Sequence, residues 1–416
     1  MILCERDKCT GCMACYSICS TAAIRMQADE EGFLRPVVDK DTCVECGRCA
    51  SVCPQLQRSD PFPITDKKVY ACWQKSKSIL RKSTSGGAFS ALAGSIIGSN
   101  GIVYGAGFDE SMRVIHKRVS NIKELEELRG SKYVQSDIGD TFSQAQKDLK
   151  NNKLVLFSGT PCQIDGLYRY LGDRYAGRLF TVDLVCHGVP SPLIYSEYLR
   201  LMENQFSSKV TSIRFRNKKP GWFVFGMKLV FLNGKIYEND TYHDYYIRGF
   251  LRELFLRPSC HQCNYANTHR PADITLADFW GYKESNIFDR DNDQGISMVM
   301  LNNKNGQSLF EMAKKRLHCY SRPLEMAVNG NQALRQCFTP SPVRSAFWQD
   351  YHSMPFQALM QKYCYAEETP QWVKNRTRNL KRMRKGKTKQ SIKRTARTIL
   401  GTRLYKFLKR ILKHSG

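Results

Sequence analysis

The sequence predicts a mixed α/β (α+β) protein with a small cysteine-rich amino-terminal domain, a larger mixed α/β body and a basic helical tail. Nine of its 17 cysteines fall within the first 53 residues. After residue 68, short apolar runs of strand length alternate with helix-length segments, as in sheets covered by helices. Residues 374–416 carry 17 Lys and Arg and no acidic residue, so most of the net charge of +26 belongs to the tail.

Length and composition exclude several classes of protein. A chain of 416 residues with 42% hydrophobic residues is long enough for two or three domains and is neither disordered nor fibrous. No apolar run approaches the roughly 18 residues of a membrane span, and the amino terminus lacks the features of a secretory signal. We therefore expect a cytoplasmic protein, in which dense, regularly spaced cysteines bind metal rather than form disulfides.

Two cysteine runs with the spacing C-x2-C-x2-C-x3-C define the amino-terminal domain, residues 1–54. Three cysteines of such a run can wrap one 4Fe-4S cluster, while the fourth ligates the other cluster. Zinc is the alternative, but a zinc site takes four ligands as two pairs, whereas each run here supplies four by itself. The predicted ligand sets are Cys9, Cys12, Cys15 with Cys53, and Cys43, Cys46, Cys49 with Cys19.

This pattern resembles the bacterial two-cluster ferredoxin. The segment between the runs is longer than usual, and we expect a hairpin there around residues 32–38. Cys4 lies outside both runs and is expected to be a packed thiol.

The rest of the chain divides by composition. Residues 55–68 contain two prolines and are predicted to form a linker, 69–345 the body, and 346–373 connecting helices. From residue 210 the pattern becomes hairpin-like, with a turn at Asn233-Gly234. Strands are predicted at 69–73, 101–105, 154–158 and 179–185, and helices at 88–97 and 163–171.

A Ser-Thr-Ser-Gly-Gly segment, residues 83–87, precedes the first long helix of the body. Its glycines would let backbone N–H groups approach an anion such as a nucleotide phosphate, although the same residues also make an ordinary helix cap. A dinucleotide-binding G-x-G-x-x-G and a phosphate-binding P-loop sequence do not occur.

Four further cysteines lie in the body. Cys162 and Cys186 each follow a predicted strand, and Cys260 and Cys263 form a C-x2-C pair. Strand ends are where a doubly wound sheet binds ligands, so four thiolates could converge on one more cluster. The alternative is two buried cysteines and half of a zinc site. Asp278 ends another apolar strand, either as a turn residue or as part of a cofactor pocket.

Taken in order, these motifs resemble the coenzyme F420 hydrogenase/dehydrogenase beta-subunit family. The resemblance covers roughly residues 1–340 and excludes the tail. The motifs behind the ferredoxin-like runs are S-T-S-G-G-A-F, G-S-K-Y-V-Q-S at 130–136, S-G-T-P-C-Q, D-L-V-C-H-G-V-P-S, and C-x2-C followed by D-I-T-L-A-D-F-W-G.

The resemblance implies a flavoprotein in which FAD lies beside an iron–sulfur cluster. It makes Cys162, Cys186, Cys260 and Cys263 the ligands of a third 4Fe-4S cluster. It also implies a set of flavin contacts, namely Ser85, Gly86, Gly87, Lys132 and Asp278.

The function we predict is that of an iron–sulfur flavin-dependent oxidoreductase. A flavin exchanges electron pairs with an organic substrate or a deazaflavin and single electrons with clusters. The electron donor would be a ferredoxin or a partner redox subunit, and the resemblance extends to reductases that accompany bacterial polysaccharide genes. The alternatives are a non-catalytic electron-transfer subunit and a zinc-bound scaffold. The sequence assigns no catalytic residue.

The tail, residues 374–416, ends in a segment with one apolar and one basic helical face at 399–412. Such a helix suits an anionic membrane surface, which would place the protein peripherally at the inner membrane face, or it docks on protein. Nucleic acid is not expected as a partner because no recognition module accompanies the tail.

Overall fold

Two short helices carry the cysteine runs at the amino terminus, α1 (Ala14–Ile18) and α2 (Arg48–Ser51). Between them β1 (Ile24–Ala28) pairs antiparallel with β2 (Leu34–Val38), which confirms the predicted hairpin. The computed structural model describes residues 3–57, 67–172, 175, 177–218, 221–223, 225–280, 282 and 294–364.

The body contains eleven further strands and eleven further helices within the described residues. The strands are β3 (Lys68–Gln74), β4 (Ile102–Phe108), β5 (Val114–Val119), β6 (Val155–Gly159), β7 (Leu179–Leu184), β8 (Val210–Asn217), β9 (Gly226–Phe231), β10 (Ile236–Asp240), β11 (Ile274–Asp278), β12 (Ser297–Leu301) and β13 (Leu317–Arg322). The helices are α3 (Lys77–Lys82), α4 (Ala88–Gly98), α5 (Leu125–Leu128), α6 (Thr141–Lys150), α7 (Pro161–Leu171), α8 (Pro192–Phe206), α9 (Tyr245–Leu251), α10 (Lys304–Lys314), α11 (Leu324–Gly330), α12 (Arg344–Tyr351) and α13 (Phe356–Cys364). Short 3-10 helices lie at Arg6–Lys8, Pro258–Gln262 and Gln332–Leu334.

One mixed sheet of eight strands forms the centre of the body, in the order β13-β3-β12-β11-β7-β6-β4-β5. Its four inner strands β11, β7, β6 and β4 run parallel, and the strands on either side are antiparallel. The inner strands are almost wholly apolar and buried because both faces of the sheet are covered. Because these strands run parallel, their carboxyl ends lie at the same edge of the sheet.

Helices cover the two faces of this sheet. Helices α4 and α10 pack on one face through residues such as Leu92 and Phe310. On the other face α6 and α7 pack through Phe142 and Leu167, and this core also contains Cys12 from the amino-terminal segment. The two parts of the chain thus share a hydrophobic core, and Met1–Tyr365 forms one compact unit.

The second sheet is an antiparallel meander of order β10-β9-β8, with the predicted turn at Asn233-Gly234. The mixed α/β fold class is confirmed. The strands β5, β12 and β13, which all pair antiparallel with their neighbours, were not predicted, because their sequences carry no signal of the strands they pair with. No described helix is long and apolar enough to span a membrane. Most of the predicted linker and the whole tail lie outside the described residues.

Candidate iron–sulfur and cofactor sites

The first predicted ligand set surrounds one small cavity beneath the amino-terminal hairpin. Cys9, Cys12, Cys15 and Cys53 all line it, although Cys53 is more than thirty residues from the others. Cys4 and Cys49 reach the same cavity, together with Met26 and Pro36 of the hairpin. The fold therefore brings the fourth cysteine of the second run to the first three of the first run.

Both runs adopt the same backbone conformation around their cysteines. Positive φ angles occur at Gly11 (65°) and Met13 (63°) in the first run, and at the equivalent Glu45 (50°) and Gly47 (73°) in the second. A non-glycine residue in the left-handed region costs about 1 kcal/mol. Each run thus contains one non-glycine residue, Met13 or Glu45, with a strained backbone, and the contacts around the cysteines must offset that cost.

The second predicted set is less buried. Cys19 and Cys46 both lie close enough to Cys49 to raise the pKa of its thiol, after the larger effect of burial. Cys46 is exposed and Cys43 is half-buried in the loop before α2. This set therefore lies at the surface of the amino-terminal segment.

Cys162, Cys186, Cys260 and Cys263 line a second cavity, at the carboxyl edge of the main sheet. Cys162 follows β6 and Cys186 follows the adjacent parallel strand β7, so the fold places both at one edge, as the sequence predicts. Cys260 lies in the 3-10 helix Pro258–Gln262, and Cys263 comes directly after it.

The thiols of this cavity are largely buried and close to one another. The backbone N–H of Val189 donates to Sγ of Cys260 at 3.4 Å. Burial, with the neighbouring Cys162 and Cys263, raises the pKa of Cys186 to about 12. Four thiolates this close would repel one another unless a cationic centre held them.

Cys337 also reaches this cavity, and its Sγ donates to the carbonyl oxygen of His261 at 3.0 Å. No sequence signal identifies Cys337, which lies far from the four cysteines along the chain. Among the described residues, no group of three or more His, Cys, Asp or Glu side chains is placed to hold a single metal ion.

The two cysteine cavities are adjacent. Thr10 lines both of them. Gly166 lies one turn after Cys162 on α7, and a Cβ there would come within 3.0 Å of both Cβ and Sγ of Cys12. The glycine thus lets the amino-terminal segment approach α7 on the face that carries Cys162.

Arg257 lies between the two cysteine cavities and is fully buried. Its Nε donates to the carbonyl oxygen of Cys9 at 2.7 Å, and its Nη2 to the carbonyl oxygen of Leu34 at 3.0 Å. Its Nη1 donates to Oε1 of Gln135 at 2.7 Å. A single side chain of the body therefore binds both the loop at Cys9 and the amino-terminal hairpin at Leu34.

A much larger cavity, of about 500 Å³, lies between the start of the 83–87 segment, the end of α5 with the loop that follows it, and strand β8. Lys132 lines it, and burial lowers the pKa of this lysine to about 7. Its Nζ donates to the carbonyl oxygens of Glu127 and Arg129. The other basic residues of the lining are Arg81, Lys82, Arg129, Arg214, Arg216 and Lys218. Among the described lining residues only Glu126 and Glu127 oppose them, so this part of the cavity favours an anionic ligand.

The other four predicted flavin contacts are not among the lining residues of this cavity. Oγ of Ser85 donates to the carbonyl oxygen of Ile296 at 2.8 Å. A Cβ on Gly86 would overlap the carbonyl oxygen of Cys72, and Gly87, with φ of 84°, caps α4. Within the 83–87 segment, the two glycines therefore pack against the protein itself, while Ser83 and Thr84 face the cavity.

Asp278 is linked to the cavity through Arg216. Its carboxylate accepts hydrogen bonds from Arg216 and, at 2.6 Å, from Nε1 of Trp222. Arg216 lines the cavity, and its Nε and Nη2 are buried without a hydrogen-bond partner among the described residues. Arg216 is a candidate ligand-binding residue that the sequence reasoning missed. The concentration of basic residues at Arg214, Arg216 and Lys218, at the end of β8 and directly after it, was an available signal.

Comparison with known proteins agrees with these motifs. A family model for the C terminus of the coenzyme F420 hydrogenase/dehydrogenase beta subunit matches residues 152–326. A 4Fe-4S dicluster domain model matches residues 8–56. No curated protein matches the chain.

Among solved structures, a chain of the F420-reducing NiFe hydrogenase complex from Methanosarcina barkeri is 18% identical, with 69% of this chain and 99% of that chain covered. Its TM-score is 0.42, too low to bear on this chain. The family matches confirm the resemblance drawn from the sequence. Residues 152–326 thus match the model for the carboxy terminus of the coenzyme F420 hydrogenase/dehydrogenase beta subunit, behind an amino-terminal segment that matches a 4Fe-4S dicluster domain.

Proposed function

We propose that the protein is an iron–sulfur flavoprotein oxidoreductase that holds three 4Fe-4S clusters and one FAD. It would pass electrons between a ferredoxin or partner redox subunit and an organic substrate or deazaflavin. The observation that carries this proposal is the adjacency of the two cysteine cavities, which share Thr10 in their walls. Clusters transfer single electrons and a flavin exchanges pairs with organic molecules.

The proposed cluster ligands follow the cysteine cavities. The described geometry fits the crossed pattern, because Cys53 lies with Cys9, Cys12 and Cys15 while Cys19 lies near Cys49. The proposed ligand sets are Cys9, Cys12, Cys15 and Cys53; Cys43, Cys46, Cys49 and Cys19; and Cys162, Cys186, Cys260 and Cys263.

Electrons would enter at the second of these sets. Cys46 is exposed, and Val44 beside it keeps 66% of its surface accessible. The exposure of this loop would leave its cluster within reach of a redox partner. The first set, which is more buried, then lies between this surface and the cavity of Cys162.

The basic cavity is the proposed site of the flavin nucleotide. Its volume of about 500 Å³ is in the range of cofactor pockets, and its lining offers several cations for a diphosphate. The unpartnered Nε and Nη2 of Arg216 are donors that a phosphate oxygen or a flavin carbonyl could satisfy. Lys132 remains a proposed contact, whereas Ser85, Gly86, Gly87 and Asp278 would act by shaping the wall and holding Arg216.

The test is the cofactor content of the anaerobically purified protein and of two variants. We expect about 12 irons and one FAD per chain in the wild type, from three four-iron clusters. The variant Cys263→Ser should retain about eight irons. The matched variant Cys337→Ser, in the same cavity, should retain about 12.

Two results would contradict parts of the proposal. Equal iron loss in both variants would mean that Cys263 is no more a ligand of the third cluster than its neighbour Cys337. About 12 irons without flavin, and without turnover of a deazaflavin, would favour a non-catalytic electron-transfer subunit. A place in polysaccharide biosynthesis stays a sequence-based prediction, which the accumulation of an unreduced sugar precursor in a deletion strain would test.

A further inference from the structure

Two cysteines outside the proposed ligand sets lie side by side in the main sheet. Cys72 is in β3 and Cys319 is directly opposite it in the edge strand β13. Their Sγ atoms are 3.3 Å apart, although 247 residues separate them along the chain. Both are reduced thiols in the structure.

The hydrogen-bond pattern of the two strands shows what kind of pair this is. The backbone N–H of Lys75 donates to the carbonyl oxygen of Arg316 at 3.1 Å, and these two residues follow the opposed pair Gln74 and Leu317 by one position. Hydrogen-bonded and non-hydrogen-bonded pairs alternate along an antiparallel ladder. Three positions further along, Cys72 and Cys319 therefore form a non-hydrogen-bonded pair.

The position of Gly86 supports this assignment independently. A Cβ on Gly86 would overlap the carbonyl oxygen of Cys72, so that carbonyl points away from β13. In a non-hydrogen-bonded pair the Cα atoms are about 4.5 Å apart and the side chains approach closely. That separation lies within the range that disulfides bridge without moving the backbone.

The two thiols differ in accessibility and acidity. Cys72 is fully buried, and burial raises the pKa of its thiol well above the ordinary value. Cys319 is half-buried, and a hydrogen bond from Cys72, together with Lys314 and Lys75, lowers its pKa. Cys319 is thus the more reactive and the more accessible of the pair.

We propose that Cys72 and Cys319 form a reversible dithiol–disulfide site whose oxidant is a low-molecular-weight disulfide. The Cys319 thiolate attacks one sulfur of that disulfide, which forms a mixed disulfide and releases one thiolate. Cys72 then attacks Sγ of Cys319 and displaces the second small thiol. Two protein thiols are oxidised, one external disulfide is reduced, and both thiol protons leave on the two small thiols.

The consequence is a covalent link between the edge strand β13 and β3. The link would lie on the β13 side of Cys72, opposite the side on which the carbonyl of Cys72 meets Gly86. The site would respond to the thiol–disulfide balance of its surroundings independently of the proposed cluster ligands.

The experiment uses the full chain, purified anaerobically with its cofactors and incubated with oxidised glutathione. Acid quenching, alkylation and peptide mass spectrometry then identify linked cysteines. We expect a Cys72–Cys319 peptide in the wild type that dithiothreitol removes. The control Cys364→Ala, which deletes another buried thiol, should give the same peptide.

The variant Cys72→Ala should instead accumulate glutathione on Cys319, because the resolving thiol is missing, and Cys319→Ser should give neither product. The proposal is wrong if glutathione stays on Cys319 in the wild type. It is equally wrong if oxidation yields no Cys72–Cys319 peptide while the cofactors stay bound. Since both results concern the wild type, a variant that fails to fold does not weaken the test.

Discussion

Nη2 of Arg257 donates to Sγ of Cys9 at 3.6 Å, across 248 residues of chain. The other acceptors of this guanidinium are neutral carbonyl and amide oxygens. A buried cation whose partners are neutral is costly unless a negative charge lies nearby. A cluster held by thiolates at Cys9 would supply that charge, and the arginine would in turn stabilise the reduced, more negative state of the cluster.

Replacing Arg257 with Gln should therefore lower the reduction potential of the cluster at Cys9. A unit charge roughly 6 Å away in an effective dielectric of about 20 contributes about 2.8 kcal/mol, which corresponds to a shift on the order of 100 mV. Arg257→Lys keeps the charge and should restore most of the potential. Potentiometric titration followed by electron paramagnetic resonance measures both variants. Equal reduction potentials in the wild type and Arg257→Gln would mean that Arg257 stabilises the fold but does not tune the cluster.

A second prediction concerns the close approach of α1 to α7. In Gly166→Ala the added Cβ would meet Cys12 at 3.0 Å, and Cys12, as a proposed cluster ligand, would have no freedom to withdraw. We expect lower thermal stability and lost iron. The matched variant is Gly94→Ala in the middle of α4, where the nearest atom to the added Cβ is at 3.5 Å. There the gain in helix propensity should stabilise the protein by about 0.5–1 kcal/mol. Identical behaviour of the two variants would contradict the packing argument.

The third prediction is a pH dependence of flavin binding. Burial lowers the pKa of Lys132 to about 7, and an anionic ligand favours the ammonium form and raises that pKa in the complex. Below about pH 7 Lys132 is protonated with and without ligand, so affinity is constant. Above it, the free protein must take up a proton on binding, and affinity falls by up to tenfold per pH unit.

Fluorescence titration of flavin-depleted protein with FAD between pH 6 and about 9 would measure this profile. The variant Lys132→Gln should bind more weakly with a flat profile in this range. A substitution of the exposed Lys147 on α6 should leave the wild-type profile unchanged. A flat wild-type profile would mean that Lys132 does not contact the anion.

The fourth prediction concerns the buried ion pair of Arg216 and Asp278. Asp278→Asn keeps an acceptor for Nε1 of Trp222 but removes the charge that balances Arg216. We expect the free energy of unfolding to fall by about 3–5 kcal/mol, the usual result of breaking a buried pair. Asp109→Asn, whose partner Arg113 is 78% exposed, should cost less than about 1 kcal/mol. Urea unfolding followed by tryptophan fluorescence would compare them, and similar losses would refute the role of burial.

The sequence predicted which cysteines the fold brings together better than which residues line the basic cavity, and the reason is physical. Spacing within a run is local, and parallel strands necessarily bring Cys162 and Cys186 to one edge. A glycine pair before a helix is ambiguous, because Gly86 can open space for a ligand or for a carbonyl of the protein itself. Here Gly86 packs against Cys72.

Contacts between residues far apart in the chain could not be predicted from local sequence patterns. Arg257 and Cys9, or Cys72 and Cys319, meet only because the sheet and the shared core bring them together. The edge strand β13 likewise shows its partner only in the folded chain. The basic character of the cavity was partly predictable, since Arg214, Arg216 and Lys218 lie close together in the sequence at the end of β8.

The core shared by Cys12, Phe142 and Leu167 changes how electron delivery within this chain should be pictured. A carrier domain on a tether would reach its acceptor by diffusion, at a frequency set by the length of the tether. A segment that shares a core with its acceptor is already in contact with it and does not have to diffuse to it. The distance between the cysteine cavities is then a property of side-chain packing, and substitutions that loosen the core would slow electron transfer without touching a ligand.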